Sequence, residues 1–367
     1  MEVFVRYLWT AIPSINISDG GKLTKSKFKE FVYWVLLNRS VDLDSFGLYC
    51  STLYSMSTVG WWIHAAVTRN VKQLDLRFCP KDITEDVELP HCLVTCSSLE
   101  VLRLNLSGRR LRLPNIKVFP ALRVLELTCV DLMEDDNLVK NFLESCPLLE
   151  DLDILDCLMS KLNLLCISCL NLKKLNIFNI HEDGLCGSIK ISCPKLVHLD
   201  LTRYVAYDFI FECLDSLKEA AIDPKLEGNS YTKYVLFPGI CHVESLLIGV
   251  YFFSQCIKAA CDPSLPNLKT LVLTTTIDAF TYNDFIRILN YYPKVKSLKL
   301  VIKEEFDWPD EWELHEGDAR RILSPDLKRV EFFEFNGEKP KIKSDWHEIT
   351  NLEMVFSWGT KVTFFYT

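Results

Sequence analysis

A short leucine pattern, L-x-x-L-x-L, returns along nearly the whole chain, and few folds can accommodate it. It runs through Leu99, Leu102 and Leu104; Leu122, Leu125 and Leu127; Leu149, Leu152 and Ile154; Leu172, Leu175 and Ile177; and Leu196, Leu199 and Leu201. Val71, Leu74 and Leu76 open the series, and Leu268, Leu271 and Leu273 and then Val295, Leu298 and Leu300 carry it on. Weaker copies start at Leu217, Val243, Leu327 and Leu352, so that consecutive starts fall 21 to 32 residues apart. A leucine-rich repeat has this signature at about 20 to 29 residues: one short strand per turn, its leucines pointing into a core shared by neighbouring turns. No repeat buries its leucines alone, so the array depends on stacking and on caps at its ends.

A second feature keeps phase with the first. Cys146-Pro147, Cys193-Pro194, Leu265-Pro266, Tyr292-Pro293 and Ser324-Pro325 stand just before strand starts, as do Cys96, Phe119-Pro120 and Cys169. Proline lacks an N–H and steers the preceding residue away from helix, so it closes the return side of each repeat. The return segments read as helical where Leu138, Phe142 and Leu143, and again Phe285, Ile286 and Leu289, share one face. The expected fold is therefore α/β: a leucine-rich-repeat solenoid, a horseshoe with parallel strands on its concave face and helices and loops on the convex one.

Composition narrows the function. The net charge is −8, which disfavours the phosphate neutralisation that nucleic-acid binding needs, and the local group Arg109, Arg110 and Arg112 does not reverse it. No apolar run of about 18 residues is present, so no membrane span is expected. Fifteen cysteines without a readable secretory signal point to reduced thiols in the cytoplasm or nucleus, packed as small apolar residues. Nucleophile elbow, phosphate loop and H-E-x-x-H are all absent, so no catalytic, cofactor or metal site is expected. Cys166 and Cys169 have C-x-x-C spacing, but Cys169 fills the pre-strand slot and reads as packing. The acidic stretch Glu304–Asp318, with Trp308 and Trp312, reads as a solvated insertion. His198 reads as a hydrogen-bonded surface residue on a strand.

Toward the N-terminus, Phe28, Phe31, Val32, Val35 and Leu36 give one amphipathic helix over Lys25–Leu37. A strand over Val41–Leu48 and a second helix through Val59, Ile63, Ala66 and Val67 follow. In order, the segments Arg6-Tyr7-Leu8-Trp9, Ile12-Pro13-Ser14-Ile15-Asn16-Ile17, Phe28–Leu37 and Val71–Leu76 resemble the plant F-box/leucine-rich-repeat proteins, including those with a C-terminal FBD region. Leu327–Gly337, led in by Trp308-Pro309, is similar to the opening of that region.

The resemblance implies residues 1–20 as the end of an F-box with its linker strand, 21–70 as an N-terminal cap and 71–325 as repeats. Residues 326–367 then hold terminal repeats and a partial FBD. It implies substrate recognition for an SCF-type ubiquitin ligase, with Arg6, Tyr7, Leu8 and Trp9 as the F-box remnant; the alternative is a ligase-independent scaffold. The partner is a protein substrate, and a Skp-type adaptor and cullin only where a fuller F-box is present.

Alternation along each strand turns the residues between the leucines to the concave face. Asp75, Arg77, Arg103, Asn105, Glu126, Thr128, Asp153, Asn176, Phe178, Asp200 and Thr202 are thus the candidate protein-binding positions.

Overall fold

Each leucine triplet supplies a strand with one greasy and one polar side, and such strands bury the greasy side only by pairing in parallel and in register. A computed structural model of the chain has this arrangement. It describes residues 9–20, 23–80, 86–112, 119–132, 136–225, 237–258, 264–275, 288, 290–292, 294–302, 326–333 and 353–356. Several sequence expectations lie outside those residues: Arg6, Tyr7 and Leu8, the helical face of Phe285, Ile286 and Leu289, the stretch Glu304–Asp318, and the part of the FBD-like segment after Phe333.

The chain divides into two compact units, Met1–Leu196 with Arg203–Leu214, and Val197–Thr202 with Asp215–Thr367. In the first, a parallel sheet runs in the order β1 (Ser14–Ser18), β2 (Ser45–Tyr54), β3 (Gln73–Pro80), β5 (Val101–Arg112), β6 (Val124–Asp131), β7 (Asp151–Leu155) and β9 (Lys174–Asn179). The short β4 (Val87–Glu88) pairs with the far end of β5. In the second unit the sheet runs through β11 (His198–Arg203), β13 (Glu219–Pro224), β14 (Ser245–Gly249), β15 (Thr270–Thr275), β16 (Ser297–Ile302), β17 (Arg329–Phe333) and β18 (Glu353–Phe356).

Register places like upon like. Leu74 pairs Leu102, which pairs Leu125, then Leu152, then Leu175; Leu76, Leu104, Leu127, Ile154 and Ile177 form the next row. All ten are 0–3% exposed. In several repeats the residue two places beyond the last leucine or isoleucine of the triplet is left-handed: Cys129 (φ 49°) within β6, Asp156 (φ 50°) just after β7 and Arg203 (φ 72°) at the end of β11. The repeat's exit turn thus tolerates a conformation that L-residues usually avoid. At Asp156 the side chain helps, its Oδ1 accepting the Ile180 N–H at 2.9 Å.

The return side is less helical than the residue spacing predicts. Helices α1 (Lys25–Leu37), α2 (Met56–Val67), α3 (His91–Val94), α4 (Asp136–Glu144) and α5 (Val250–Lys258) occupy some turns. In three consecutive repeats of the first unit, strands β8 (Leu164–Ile167), β10 (Cys186–Ser192) and β12 (Ala206–Glu212) replace them, forming a separate parallel sheet with β10 central. These segments are rich in β-branched and aromatic residues, and Ile189 and Ile191 bury on alternation; that composition favours the pleat over the helix.

Two N-terminal expectations are also corrected. The strand expected over Val41–Leu48 is Ser45–Tyr54, because residues before Ser45 make loop bonds (Leu43 N–H to Arg69 O, Asp44 N–H to Pro13 O), while β2 is held on both edges by β1 and β3. Phe31, read as core-facing, is 43% exposed; Phe28, Val32, Val35 and Leu36 suffice to fill the buried side. Asp19 pins β1 to β2: its carboxylate accepts the Ser51 N–H (3.0 Å), the Ser51 hydroxyl (2.7 Å) and the Thr52 N–H (2.8 Å).

All cysteines among the described residues are free, and the pre-strand slot explains several. The Sγ of Cys146 donates to Phe142 O (3.5 Å) in the return segment of its own repeat, and those of Cys169 and Cys193 donate to Leu143 O (3.7 Å) and Ile167 O (3.5 Å) in the return segment of the repeat before. Burial pushes the thiols of Cys146, Cys157 and Cys186 up to about 12 and that of Cys193 to about 11. Because the thiolate is the nucleophile, a disulfide reagent at pH 8 should react with exposed Cys213 in the native protein and with these four only after denaturation. Rapid native labelling of Cys157 or Cys186 would contradict the packing.

Candidate functional site

With the leucines turned inward, the intervening residues have one place to go. On the first unit's sheet they form two adjacent rows on the face opposite the core. One row runs Asp75, Arg103, Glu126, Asp153, Asn176, and the other Arg77, Asn105, Thr128, Leu155, Phe178. Nine of the candidate positions therefore lie on one surface, each half-buried or exposed. Asp200 and Thr202 lie half-buried on β11, in the second unit.

Charges on this face are interleaved. The Arg77 guanidinium meets Asp75 at 3.3 Å and stacks over the Tyr49 ring, 5.1 Å from its centroid. The Tyr49 hydroxyl donates to Asp75 Oδ2 at 2.9 Å, and burial with that carboxylate raises its pKa above the ordinary value. Arg103 pairs with Glu126 at 3.2 Å, and Glu126 also accepts the Thr128 hydroxyl. Lys174 serves two carboxylates, Asp151 at 3.6 Å and Asp153 at 3.8 Å. In both of those carboxylates Oδ1 is shielded from water and has no hydrogen-bond donor. Burial raises both pKa values, and Lys174 offsets the rise only in part.

Tyr49, Asp151 and Lys174 were not among the sequence candidates. The latter two sit one place before the second core residue of each strand triplet, in a third row with Gln73, Val101 and Val124. The same alternation rule, extended two residues toward the N-terminus of each strand, would have found them. Tyr49 lay hidden because β2 carries no leucine triplet.

A raised carboxyl pKa means that ionisation costs native stability. The cost is present above the folded pKa, and it fades as pH falls through that value toward the unfolded one near 3.9. Asp153→Asn is therefore expected to raise stability at pH 7. The gain should shrink toward zero near pH 4 when urea unfolding is followed at both. An equal gain at both values would remove the electrostatic explanation.

The second unit's face differs. His198 Nδ1 lies 3.0 Å from Glu219 Oε2, a surface hydrogen bond between β11 and β13. Further along, Ala221, Leu247, Val272 and Val301 stand where polar residues stand in the first unit, and each is 5–8% exposed. Beside them the Thr274 hydroxyl donates to Asp223 Oδ2 at 2.8 Å, across Gly249, where a Cβ would lie 2.2 Å from Asp223 Oδ1. Among the described residues no group of three or more His, Cys, Asp or Glu is placed to hold a metal ion. Among them also, no helix is long and apolar enough to cross a membrane.

Comparison with known proteins places this architecture. A family described as "At1g61320/AtMIF1, LRR domain" matches residues 38–351. The chain is similar to the putative FBD-associated F-box protein At5g56560 of Arabidopsis thaliana, 28% identical over 348 residues that cover 90% of this chain and 78% of the relative. F-box/FBD/LRR-repeat protein At5g56420 of the same plant is 29% identical over 232 residues, covering 59% of this chain and 52% of the relative. F-box/FBD/LRR-repeat protein At4g26340, also from Arabidopsis, is 26% identical over 355 residues, covering 90% and 78%. With the repeat matched over most of its length, the chain belongs to the At1g61320/AtMIF1-type leucine-rich-repeat proteins, within the plant F-box/FBD/LRR family.

Proposed function

We propose that the polar rows of the first unit bind a protein substrate, and that the chain is the substrate-recognition part of an SCF-type E3 ubiquitin ligase. A protein-interaction role is what the repeat fold and the F-box and FBD names of its relatives support in general terms. The observation that carries the specific reading is the pair Asp151 and Asp153. Folding gains nothing from two shielded carboxylates sharing one lysine on a face whose other side is already packed with leucine. Charges retained at a cost to stability mark a surface kept for recognition. Arg77 and Arg103 beside Tyr49 supply the residue types that dominate protein interfaces. Buried, unreactive thiols suit a reducing compartment, cytoplasm or nucleus. Catalysis has no part in this reading.

The test is affinity purification from plant cells of the wild-type chain and of an Arg103→Glu/Asp153→Lys variant, followed by partner identification and ubiquitylation assay. The variant should lose the partner, by roughly 100-fold in affinity, and keep its far-UV circular dichroism. A Skp-type adaptor and cullin should co-purify with both where the docking helices of an F-box are present. A partner held equally by both proteins would refute the face assignment. A partner bound without adaptor or ubiquitylation, from a protein carrying a full F-box, would replace the ligase reading with a scaffold.

A further inference from the structure

Large apolar side chains exposed to water concentrate on the N-terminal helix pair. On α1, Phe31 is 43%, Tyr33 40%, Trp34 53% and Leu37 63% exposed, and on α2 Trp61 is 59% exposed. Two of them touch across the helix pair. Tyr33 and Trp61 face each other across the two helices with ring centroids 6.2 Å apart, and Trp61 meets His64 edge-on at 6.2 Å. Their buried counterparts Phe28 and Trp62 already fill the space between the helices and β2, so the outer rings add nothing to the core. Contiguous apolar surface of this kind marks interaction sites.

Charge on the same helices is one-sided. They carry Lys25, Lys27 and Lys29 against one carboxylate, Glu30, which accepts the Ser26 hydroxyl at 3.3 Å. Lys25 is committed to Leu53 O and the Tyr54 ring. No ion pair joins Lys27 or Lys29 to a carboxylate among the described residues. The pair is a cationic, aromatic island on a chain of net charge −8.

We propose that the α1/α2 face is a second docking surface, separate from the strand face, and that it takes an acidic amphipathic segment of another protein. The segment's apolar side chains would cover Phe31, Tyr33, Leu37 and Trp61 while its carboxylates meet Lys27 and Lys29, the helix-on-groove mode of recognition. An anionic membrane is disfavoured because such surfaces recruit clusters of about 4 to 8 basic residues. Here two lysines are available, and the remainder of the chain is repelled.

Panning a displayed library of random peptides of about 16 residues, roughly four helical turns, against the full chain tests this. Selected peptides are then titrated by fluorescence anisotropy against wild type and a Lys27→Glu/Lys29→Glu/Trp61→Ser variant. Wild type should select peptides that combine Asp or Glu with Leu or Phe. Their affinity should fall roughly tenfold or more on the variant, weaken with salt, and be unchanged by Arg103→Glu/Asp153→Lys. Should the triple variant lose its circular dichroism, Lys27→Ala/Lys29→Ala, which leaves the rings in place, must still lower the affinity. The proposal fails if the selected peptides bind the variants as tightly, or if peptides that depend on Lys27 and Lys29 carry no acidic excess. It fails equally if the variant instead abolishes co-sedimentation with phosphatidylserine vesicles or self-association of the wild type.

Discussion

Trp62→Ala is expected to cost about 3–5 kcal/mol, the range for removing a fully buried large aromatic. Trp62 is 1% exposed and sits edge-on to both Phe28, at 6.1 Å, and Tyr54, at 5.2 Å, so its ring joins α1, α2 and β2 in one contact. Truncation leaves a cavity that neither helix can close without abandoning the other partner. Trp62→Phe should cost much less, about 1–2 kcal/mol, because the indole Nε1–H is buried without an acceptor and its removal relieves a desolvation penalty. Stacked repeats contact their neighbours and little else, so the loss should be local. Hydrogen exchange in Trp62→Ala should rise across Lys25–Val67 while the amides of β6, β7 and β9 keep their protection. Urea unfolding followed by far-UV circular dichroism gives the energy; a loss below about 1 kcal/mol, or protection lost uniformly along the chain, would show that the helix pair is not held by this cluster.

That locality also explains what the sequence could and could not reveal. The ladder was legible because a leucine triplet works at short range: alternation fixes which side is buried, and the repeat fixes the register, so Leu102 upon Leu125 upon Leu152 follows from spacing alone. The same rule placed Arg103, Glu126 and Asp153 in one row. The return segments were less legible, since their conformation depends on what the neighbouring turn offers. Asp136–Glu144 is a helix, yet the equivalent segments at Cys186–Ser192 and Ala206–Glu212 are strands, because β8 and β10 present edges for them to pair with. The reversal of the second unit's face, from charged to apolar at Ala221, Leu247 and Val272, escapes the leucine pattern, since the first two stand in weak copies and Val272 is an intervening residue of a full triplet, which the pattern leaves unspecified. Exposure of Phe31, Tyr33 and Trp61 was invisible for a further reason: periodicity marks a face as apolar without saying whether anything covers it.

The same change, glycine to alanine, should act in opposite directions at two positions, and the difference lies wholly in their surroundings. At Gly187, where β10 begins, a Cβ would stand 2.4 Å from the Asn163 carbonyl oxygen and 3.1 Å from that residue's backbone carbons. The Asn163 backbone has no freedom to retreat. Its N–H is held by Asp136 Oδ1 at 3.0 Å, the next N–H by Asp136 Oδ2 at 3.2 Å, and its carbonyl accepts the Ser188 N–H at 2.9 Å. Alanine must therefore prise β10 from the turn leading into β8, breaking the bond from Gly187 N–H to Leu162 O (2.9 Å). We expect a loss of about 3 kcal/mol, the upper end for overpacking. Gly60 lies inside α2, and a Cβ there would meet only Pro90 Cγ at an ordinary 3.7 Å. Gly60→Ala should stabilise by about 0.5–1 kcal/mol through helix propensity alone. Both variants are read by urea unfolding under one set of conditions. Destabilisation of similar size at the two sites would mean that β10 does not approach the Asn163 turn this closely, and the second sheet would have to be redrawn.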